Sequence, residues 1–483
     1  MATISSLGVG SNLDLGGLLA KIKSNEQAPL IALEKQQRSY TSRLSAYGQI
    51  NSALSALQTA AAALAKPALF QGVKASSTAT DVLTATALST AAVGSYAVNV
   101  TQLAQAQSLA AAGVASTTTA IGAGAATTVT LDFGTISGGT LGADGKYTGA
   151  TFTADATRAA TSITIDASNN TLAGIRDAIN GSATMGVTAS IINDGSATPN
   201  RLVLTSKLTG EKSSMRIAVT GDATVSGLLA NDPAATQNLQ QTAAAKNANL
   251  TVDGIAITSA SNTVAGAIQD VTMTVAKVGA STLSVQKDSA SVQSAISTFV
   301  TAYNSLQSVA NRLTAFDATS KSGAVLIGDS TLRNIQVRIR SALNTAQVPD
   351  SSGLATLSQI GVSFQKDGTL AIDSAKLTTA LGSQLSGVAN LFSGSAGVGG
   401  YGTQMSSLVS GFTDTTNGTL TAATKGINTT LTSLAKQYTA TSDRIDTTIA
   451  RYKAQFTQLD GLMSSMNQTS AYLTQQFTNL NPK

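Results

Sequence analysis

The sequence predicts a multi-domain α+β chain: a paired N- and C-terminal α-helical coiled-coil stalk carrying inserted β-rich domains. Three observations predict it. Heptad-spaced apolar residues run along both ends of the chain. Between those ends, after Pro67, the apolar period drops from near 3.5 to 2. At 483 residues the chain also exceeds what one core serves, and the length prior gives about three or four domains.

The C-terminal stretch carries the strongest pattern. From Ile427 the apolar positions are Leu431, Leu434, Tyr438, Ile445, Ile449, Tyr452, Phe456, Leu459, Met463, Met466, Leu473, Phe477 and Leu480. Steps of three and four alternate, which is the a/d signature of a coiled-coil seam. Thr441 and Ser470 are polar intruders, and two steps of four from Thr441 to Ile449 form a stutter. No proline interrupts the run before Pro482. A helix with one apolar stripe needs a partner to bury it. The N-terminal end supplies Leu30, Leu33, Tyr40, Leu44, Tyr47, Ile50, Leu54, Leu57, Ala61 and Leu64 at the same spacing, with Gln37 as its polar intruder. Pro29 suits a first helical turn and Pro67 closes the segment, so a helix is expected over about 29–66. Residues 1–28 read as a poorly structured lead with short helical potential at Leu13, Leu15, Leu18, Leu19 and Ile22, where Gly8, Gly10, Gly16 and Gly17 oppose a stable long helix. Pairing of the two ends makes everything between them an insertion.

Strands are expected at Val82–Thr86, Tyr96–Val100, Ala248–Val252, Ile255–Thr258, Val271–Val275 and Thr282–Val285, with Asp253-Gly254 as a two-residue hairpin turn. These early and late strands form one β-rich domain that the chain leaves and re-enters. The excursion has candidate strands at Val129–Phe133, Tyr147–Thr153, Ser162–Asp166, Val187–Asn193, Arg201–Ser206 and Met215–Val219. A short helix over Thr171–Asn180, ended by Gly181, makes it an α+β module. A heptad helix (Val292, Ile296, Phe299, Tyr303, Leu306, Ala310, Leu313) and another over about 330–345 follow. A hairpin comes next, Ile360–Phe364 turning at Asp367-Gly368 to Leu370–Ile372, and Asp373 caps a helix carrying Leu377, Leu381, Leu385, Val388, Leu391 and Phe392. Ser393–Gly402 is a glycine-rich break before the terminal helical region. The expected domains are 1–45 with 431–483 (terminal leg), 46–72 with 288–430 (helical stalk), 73–107 with 243–287 (β-rich) and 108–242 (distal α+β).

Composition removes most chemistry. There is no His and no Cys, which excludes catalytic triads, thiol nucleophiles, disulfides and His- or Cys-based zinc or iron sites. Gly8-Val9-Gly10 and Gly122-Ala123-Gly124 continue to Leu13 and Thr127 where a dinucleotide loop needs glycine, and Gly145-Lys146 lacks the rest of a P-loop. Asp253, Asp270, Asp317, Asp329, Asp367 and Asp373 stand singly beside Gly, Ser or Thr, the context of turns and caps rather than of paired catalytic carboxylates. No enzyme activity and no cofactor are expected. Net charge is +5 with pI near 9.2, but the basic residues are dispersed. The one tight cluster, Arg333, Arg338 and Arg340, reads as a solvated helix face, so no nucleic acid is expected. No run of ~18 apolar residues is present, so no membrane span is expected. The N-terminus lacks the basic and apolar regions of a secretory signal, so export is expected to use a route without one. The seam residues read as coiled-coil core within the monomer, as a binding surface for another protein's helix, or as both if the helices re-pair on assembly.

With those residues in view, the chain resembles the flagellar hook-associated protein 2 family of filament cap proteins. Ile4-Ser5-Ser6-Leu7-Gly8-Val9-Gly10-Ser11-Asn12-Leu13-Asp14, with Glu26 and Pro29, looks like that family's N-terminal block. Thr171–Asn180 followed by Gly186-Val187-Thr188-Ala189 looks like an insertion motif shared with some flagellins. Ile360-Gly361-Val362, Asp367-Gly368-Thr369-Leu370 and Arg451–Asp460, with Met463, Met466, Asn467 and Leu473, resemble the C-terminal block. The resemblance implies a secreted, extracellular protein at the distal tip of the bacterial flagellum, forming a ring-like homo-oligomer whose terminal helices point into the filament. It implies flagellin, the hook-filament junction protein and a type III export chaperone as partners, with capping that promotes flagellin insertion and prevents monomer loss. The alternative from another class is an extracellular adhesin or surface-layer protein, whose Thr/Ser/Gly-rich β domains would meet partners such as host surface glycans.

Overall fold

The computed structural model describes residues 7–9, 11–319, 321–394 and 398–480. Ile4–Ser6 and Gly10 of the N-terminal block, part of the glycine-rich break, the side chain of Leu480, and Pro482 lie outside them. The chain divides into two units, Met1–Phe70 with Ser289–Lys483, and Gln71–Asp288.

The first unit is helical: Leu15–Glu26, Ala28–Leu64, Ser289–Thr314, Ser330–Asn344, Ser374–Ser383, Leu385–Ser393, Tyr401–Thr413 and Thr419–Leu480. Pro29 lies in the first turn of the 37-residue helix Ala28–Leu64, where a missing N–H costs nothing. The C-terminal half of that helix buries Ile50, Leu54, Leu57, Ala61 and Leu64 among Ile296, Phe299, Tyr303, Ile335, Ile339, Val388, Phe392, Tyr401 and Met405. Phe392 meets Phe299 and Tyr401 edge-on, with ring centroids 6.4 and 6.5 Å apart. Several buried polar groups in this core find partners, although the Gln307 amide nitrogen has none among the described residues. The Tyr303 hydroxyl donates to the Gly368 carbonyl at 2.9 Å. The Asn304 side chain donates to Leu370 O and accepts from Leu370 N, which fixes the hairpin Val362–Phe364/Leu370–Ile372 to the helix. Tyr47 donates to Asp329 at 2.7 Å, while Asp329 caps the helix Ser330–Asn344 through Leu332 N.

Two elements refine the expected pattern. The short helical potential of the lead is realised as a 12-residue helix, Leu15–Glu26, despite Gly16 and Gly17. Asp14 caps it by accepting from Gly17 N at 2.8 Å, and it packs on the helix Thr419–Leu480. Cap and contact together outweigh a glycine penalty of about 1 kcal/mol per residue. The single helix expected after Asp373 is two helices, broken at Gln384 (φ −135°, ψ 35°). With the break, Leu377 and Leu381 on one side and Val388, Leu391 and Phe392 on the other all reach the same core.

The second unit is built on antiparallel strands. A five-stranded sheet has the order Val73–Ser77, Gly279–Lys287, Gly94–Gln102, Ala248–Val252, Ile255–Ser259. The chain leaves this sheet after Gln102 and returns to it at Ala248. Asp253 and Gly254 take φ of 48° and 83° between the paired Val252 and Ile255, the geometry of a type I′ turn. The first and last strands pair from Val73↔Lys287 to Ser77↔Leu283, and Asp288 N donates to Gly72 O at 3.0 Å. With the three-stranded sheet Thr263–Ile268, Val271–Val275, Leu83–Ala87, this sheet encloses Leu83, Val98, Val100, Leu250, Met273, Leu283 and Val285. The excursion has a separate core, including Leu109, Leu131, Phe133, Leu172, Ile175, Leu202, Met215 and Leu228. Its helix Leu172–Gly181 is capped by Thr171, whose hydroxyl accepts from Gly174 N. The strand expected at Val129–Phe133 is the inner part of a 15-residue strand, Thr127–Leu141.

Candidate interaction surface on the terminal helices

The C-terminal helix Thr419–Leu480 has 62 residues, about 90 Å at 1.5 Å per residue. It runs antiparallel to Ala28–Leu64. The Tyr438 hydroxyl donates to Glu34 Oε1 at 3.3 Å, and farther along the helix Asp460 Oδ1 accepts from Ser11 N at 2.7 Å. Ser11 is buried there, in a tight loop where Gly8 (φ 101°) and Asn12 (φ 58°) both take left-handed backbone. A Cβ at Gly8 would lie 2.0 Å from Leu13 O, so only glycine fits.

The seam residues divide into three groups along this pairing. Tyr47 and Leu54 belong to the main helical core, with Tyr40, Leu44 and Leu431 packed on its margin. Leu30, Leu434 and Ile445 are buried, while Leu33, Tyr438, Ile449, Tyr452, Phe456 and Met463 are half-buried. Tyr452 and Phe456 stack with centroids 6.3 Å apart. Leu459, Met466, Leu473 and Phe477 are exposed, Phe477 at 69%. Among the described residues the pairing reaches at least Asp460. Beyond it about 20 residues, roughly 30 Å of helix, carry an apolar stripe that is half-buried at Met463 and exposed at Met466, Leu473 and Phe477. Leu462 (62% exposed) and Tyr472 (63%) widen that stripe and were not singled out from sequence. Each lies one residue from a seam position, and that adjacency was the available signal. The Ser11–Asp460 contact was also missed; glycine and asparagine flanking a capping aspartate hint at a tight loop but not at its docking partner.

The isolated aspartates have turn and cap roles. Asp253 accepts from Ala97 N, Asp270 from Thr90 Oγ1, Asp317 from Thr319 N, Asp367 from Thr369 N and Asp373 from Lys376 N. Arg333, Arg338 and Arg340 are exposed, and Arg338 stacks over Phe412 at 5.1 Å. Burial raises the phenols of Tyr303 and Tyr401; burial, then the hydrogen bond to Asp329, pushes Tyr47 up to about 12. Among the described residues no helix is long and apolar enough to cross a membrane.

Comparison with known proteins places this helical arrangement. Residues 11–107 match the model of the flagellar hook-associated protein 2 N-terminus and residues 245–468 that of its C-terminus. The flagellar hook-associated protein 2 of Escherichia coli (strain K12) is 40% identical over 490 residues, covering 99% of both chains. This chain belongs to the flagellar hook-associated protein 2 family. The Salmonella typhimurium hook-associated protein 2 is likewise 40% identical, over the whole of both chains. Residues 142–208 match the flagellin hook IN motif, which includes the helix Leu172–Gly181. Among solved structures, the D1-D2-D3 domains of the Escherichia coli flagellar cap protein FliD align with a TM-score of 0.61 and 36% identity. That alignment covers 79% of this chain and 99% of the other. Flagellar capping is the function that accompanies membership of the hook-associated protein 2 family. The relatives give the adhesin or surface-layer alternative, and with it host glycans, no support, and it is set aside.

Proposed function

We propose that this protein caps the distal, extracellular tip of the flagellar filament as a ring-like homo-oligomer, docking through the free stretch of its C-terminal helix. The observation that carries the reading is the change along one continuous helix: its stripe is buried at Leu434 and Ile445 and exposed at Leu459, Met466, Leu473 and Phe477. Each large apolar side chain fully covered contributes about 1.5–3 kcal/mol. Several such residues, repeated around a ring, hold a cap without covalent chemistry or a cofactor. Half-buried Tyr452 and Phe456 mark the stretch where intramolecular pairing gives way to a partner, and polar Gln37 and Thr441 within the seam ease that exchange. Flagellin and the hook-filament junction protein are the partners in the filament, and an export chaperone covers the same stripe before secretion. The role is structural rather than enzymatic: the cap promotes flagellin folding and insertion and prevents monomer loss. Three separate apolar cores support three of the four expected parts, a helical stalk, a β-rich domain and a distal α+β domain, and the terminal leg is the stretch of paired helices that runs beyond the first core.

The test uses cells whose own gene for this protein is deleted, with flagellin measured in the spent medium. Monomeric flagellin lost to the medium, and returned to cell-attached filaments on complementation, supports capping. Normal filaments in the deletion strain sink it.

A further inference from the structure

The chain contains no cysteine, so methionine thioethers are its only sulfur. The described methionines fall into two groups. Met185, Met215, Met273 and Met405 are closed inside the three apolar cores, each 2% exposed or less. Met463 is half-buried and Met466 is 57% exposed, and these two lie three residues apart on the uncovered part of the C-terminal helix. Access to oxidant therefore differs sharply between the two groups, and the accessible sulfurs coincide with the stripe Leu459, Leu462, Leu473 and Phe477. Thioether oxidation follows exposure.

We propose that Met466, followed by Met463, is a selective oxidation site at which a peroxide-class oxidant switches off docking of the terminal helix. The sulfur lone pair attacks one peroxide oxygen. A sulfur–oxygen bond forms, the oxygen–oxygen bond breaks, and the departing hydroxide takes up the peroxide's proton to leave as water. Sulfur is oxidised by two electrons to the sulfoxide while peroxide is reduced by two. A flexible apolar side chain becomes a strongly dipolar acceptor. On an exposed helix this costs little, because water solvates the new oxygen. Within a closed apolar seam the oxygen must be desolvated without a donor, so docking bears the penalty and folding does not. The modification acts after export and before assembly, since a chaperone-bound or docked helix covers both sulfurs. The docking half of this inference rests on the function proposed above; the selectivity half rests on exposure alone.

The experiment treats the purified full-length protein with hydrogen peroxide and follows each methionine by peptide mass spectrometry. Met466 should be oxidised first and Met463 next, with the four buried residues at least about tenfold slower. Equal rates for Met466 and the buried four would overturn the proposal. Oxidised and untreated protein are then added to cells lacking their own copy, and released flagellin is measured. Treated wild-type protein should retain flagellin about tenfold less well, while a Met463→Leu/Met466→Leu variant caps equally before and after treatment. Full capping by protein oxidised at Met466 defeats the switch but leaves the docking reading intact. Full capping by Phe477→Asp defeats the docking reading, and the mass spectra still decide selectivity.

Discussion

Placing a carboxylate at Phe477 separates the work of folding from the work of docking. In the free protein Phe477 keeps only about a third of its surface from water. Complete burial of a phenylalanine contributes about 1.5–3 kcal/mol, so Phe477→Asp removes at most about 1 kcal/mol of folding free energy. A negative charge in the last turn adds about 0.3–1 kcal/mol through the helix dipole, and fraying there reduces even that. Ile445→Asp is the matched control, because Ile445 is 2% exposed. Its loss of packing costs about 2–5 kcal/mol before the buried carboxylate is counted. In the docked state the order reverses. The remaining two thirds of Phe477 stands for about 1–2 kcal/mol, and desolvating a carboxylate raises the loss to about 3 kcal/mol or more. That is over a hundredfold in affinity. Urea unfolding followed by circular dichroism measures the first quantity, and flagellin in the spent medium of complemented deletion cells measures the second. Phe477→Asp should unfold within about 2 kcal/mol of wild type and fail to cap. Wild-type capping by this variant, or destabilisation matching that of Ile445→Asp, refutes the division of the stripe.

Three further expectations follow from the same geometry. Tyr452→Asp or Phe456→Asp should abolish capping while the unfolding transition of the Gln71–Asp288 unit stays in place; normal filament growth with either variant defeats the seam assignment. Gly402 sits where a Cβ would lie 2.8 Å from Ala61 O and Ala65 N. Gly402→Ala should therefore destabilise the helical unit by about 1–3 kcal/mol despite better helix propensity, and an unchanged denaturation midpoint would contradict the close helix contact. The raised phenols of Tyr47, Tyr303 and Tyr401 stay protonated in the folded state after their unfolded counterparts begin to ionise near pH 10. Their contribution to stability is fully present below pH 10 and is lost as pH rises through each raised pKa, which for Tyr47 is about 12. Tyr47→Phe should flatten part of that loss in a pH series of thermal unfolding curves, and an identical slope would speak against burial of this hydroxyl.

The heptad stripes were legible because a long helix repeats its instruction every turn: spacing alone locates Leu431 to Phe477 on one face. Local turn chemistry was equally readable at Asp253-Gly254 and Asp373, where the residue type and its backbone conformation determine each other. The full extent of the helix Leu15–Glu26 was not legible, since sequence showed only short helical potential at Leu15, Leu18, Leu19 and Ile22 and the further support came from a distant helix. Nor was the break at Gln384, which reflects the shape of the core into which Leu377 and Phe392 must both fit. For the interaction surface, sequence marked the stripe but not where its cover stops. That depends on the length of the opposing helix and on where Ser11 reaches Asp460, two facts that lie some 450 positions apart in the chain.

Pairing of Val73 with Lys287 bears on how the chain acquires its structure. The helical unit is assembled from two segments separated by roughly two hundred residues, and closing so long a loop costs roughly 5 kcal/mol in chain entropy. The intervening unit is continuous and ends on two neighbouring antiparallel strands. Once those strands zip, Phe70 and Ser289 are tethered at short range and most of the closure cost has already been met. The inserted β unit therefore acts as a folding clip for the helices on either side of it, and the slow, long-range step of this protein belongs to the sheet rather than to the helical bundle.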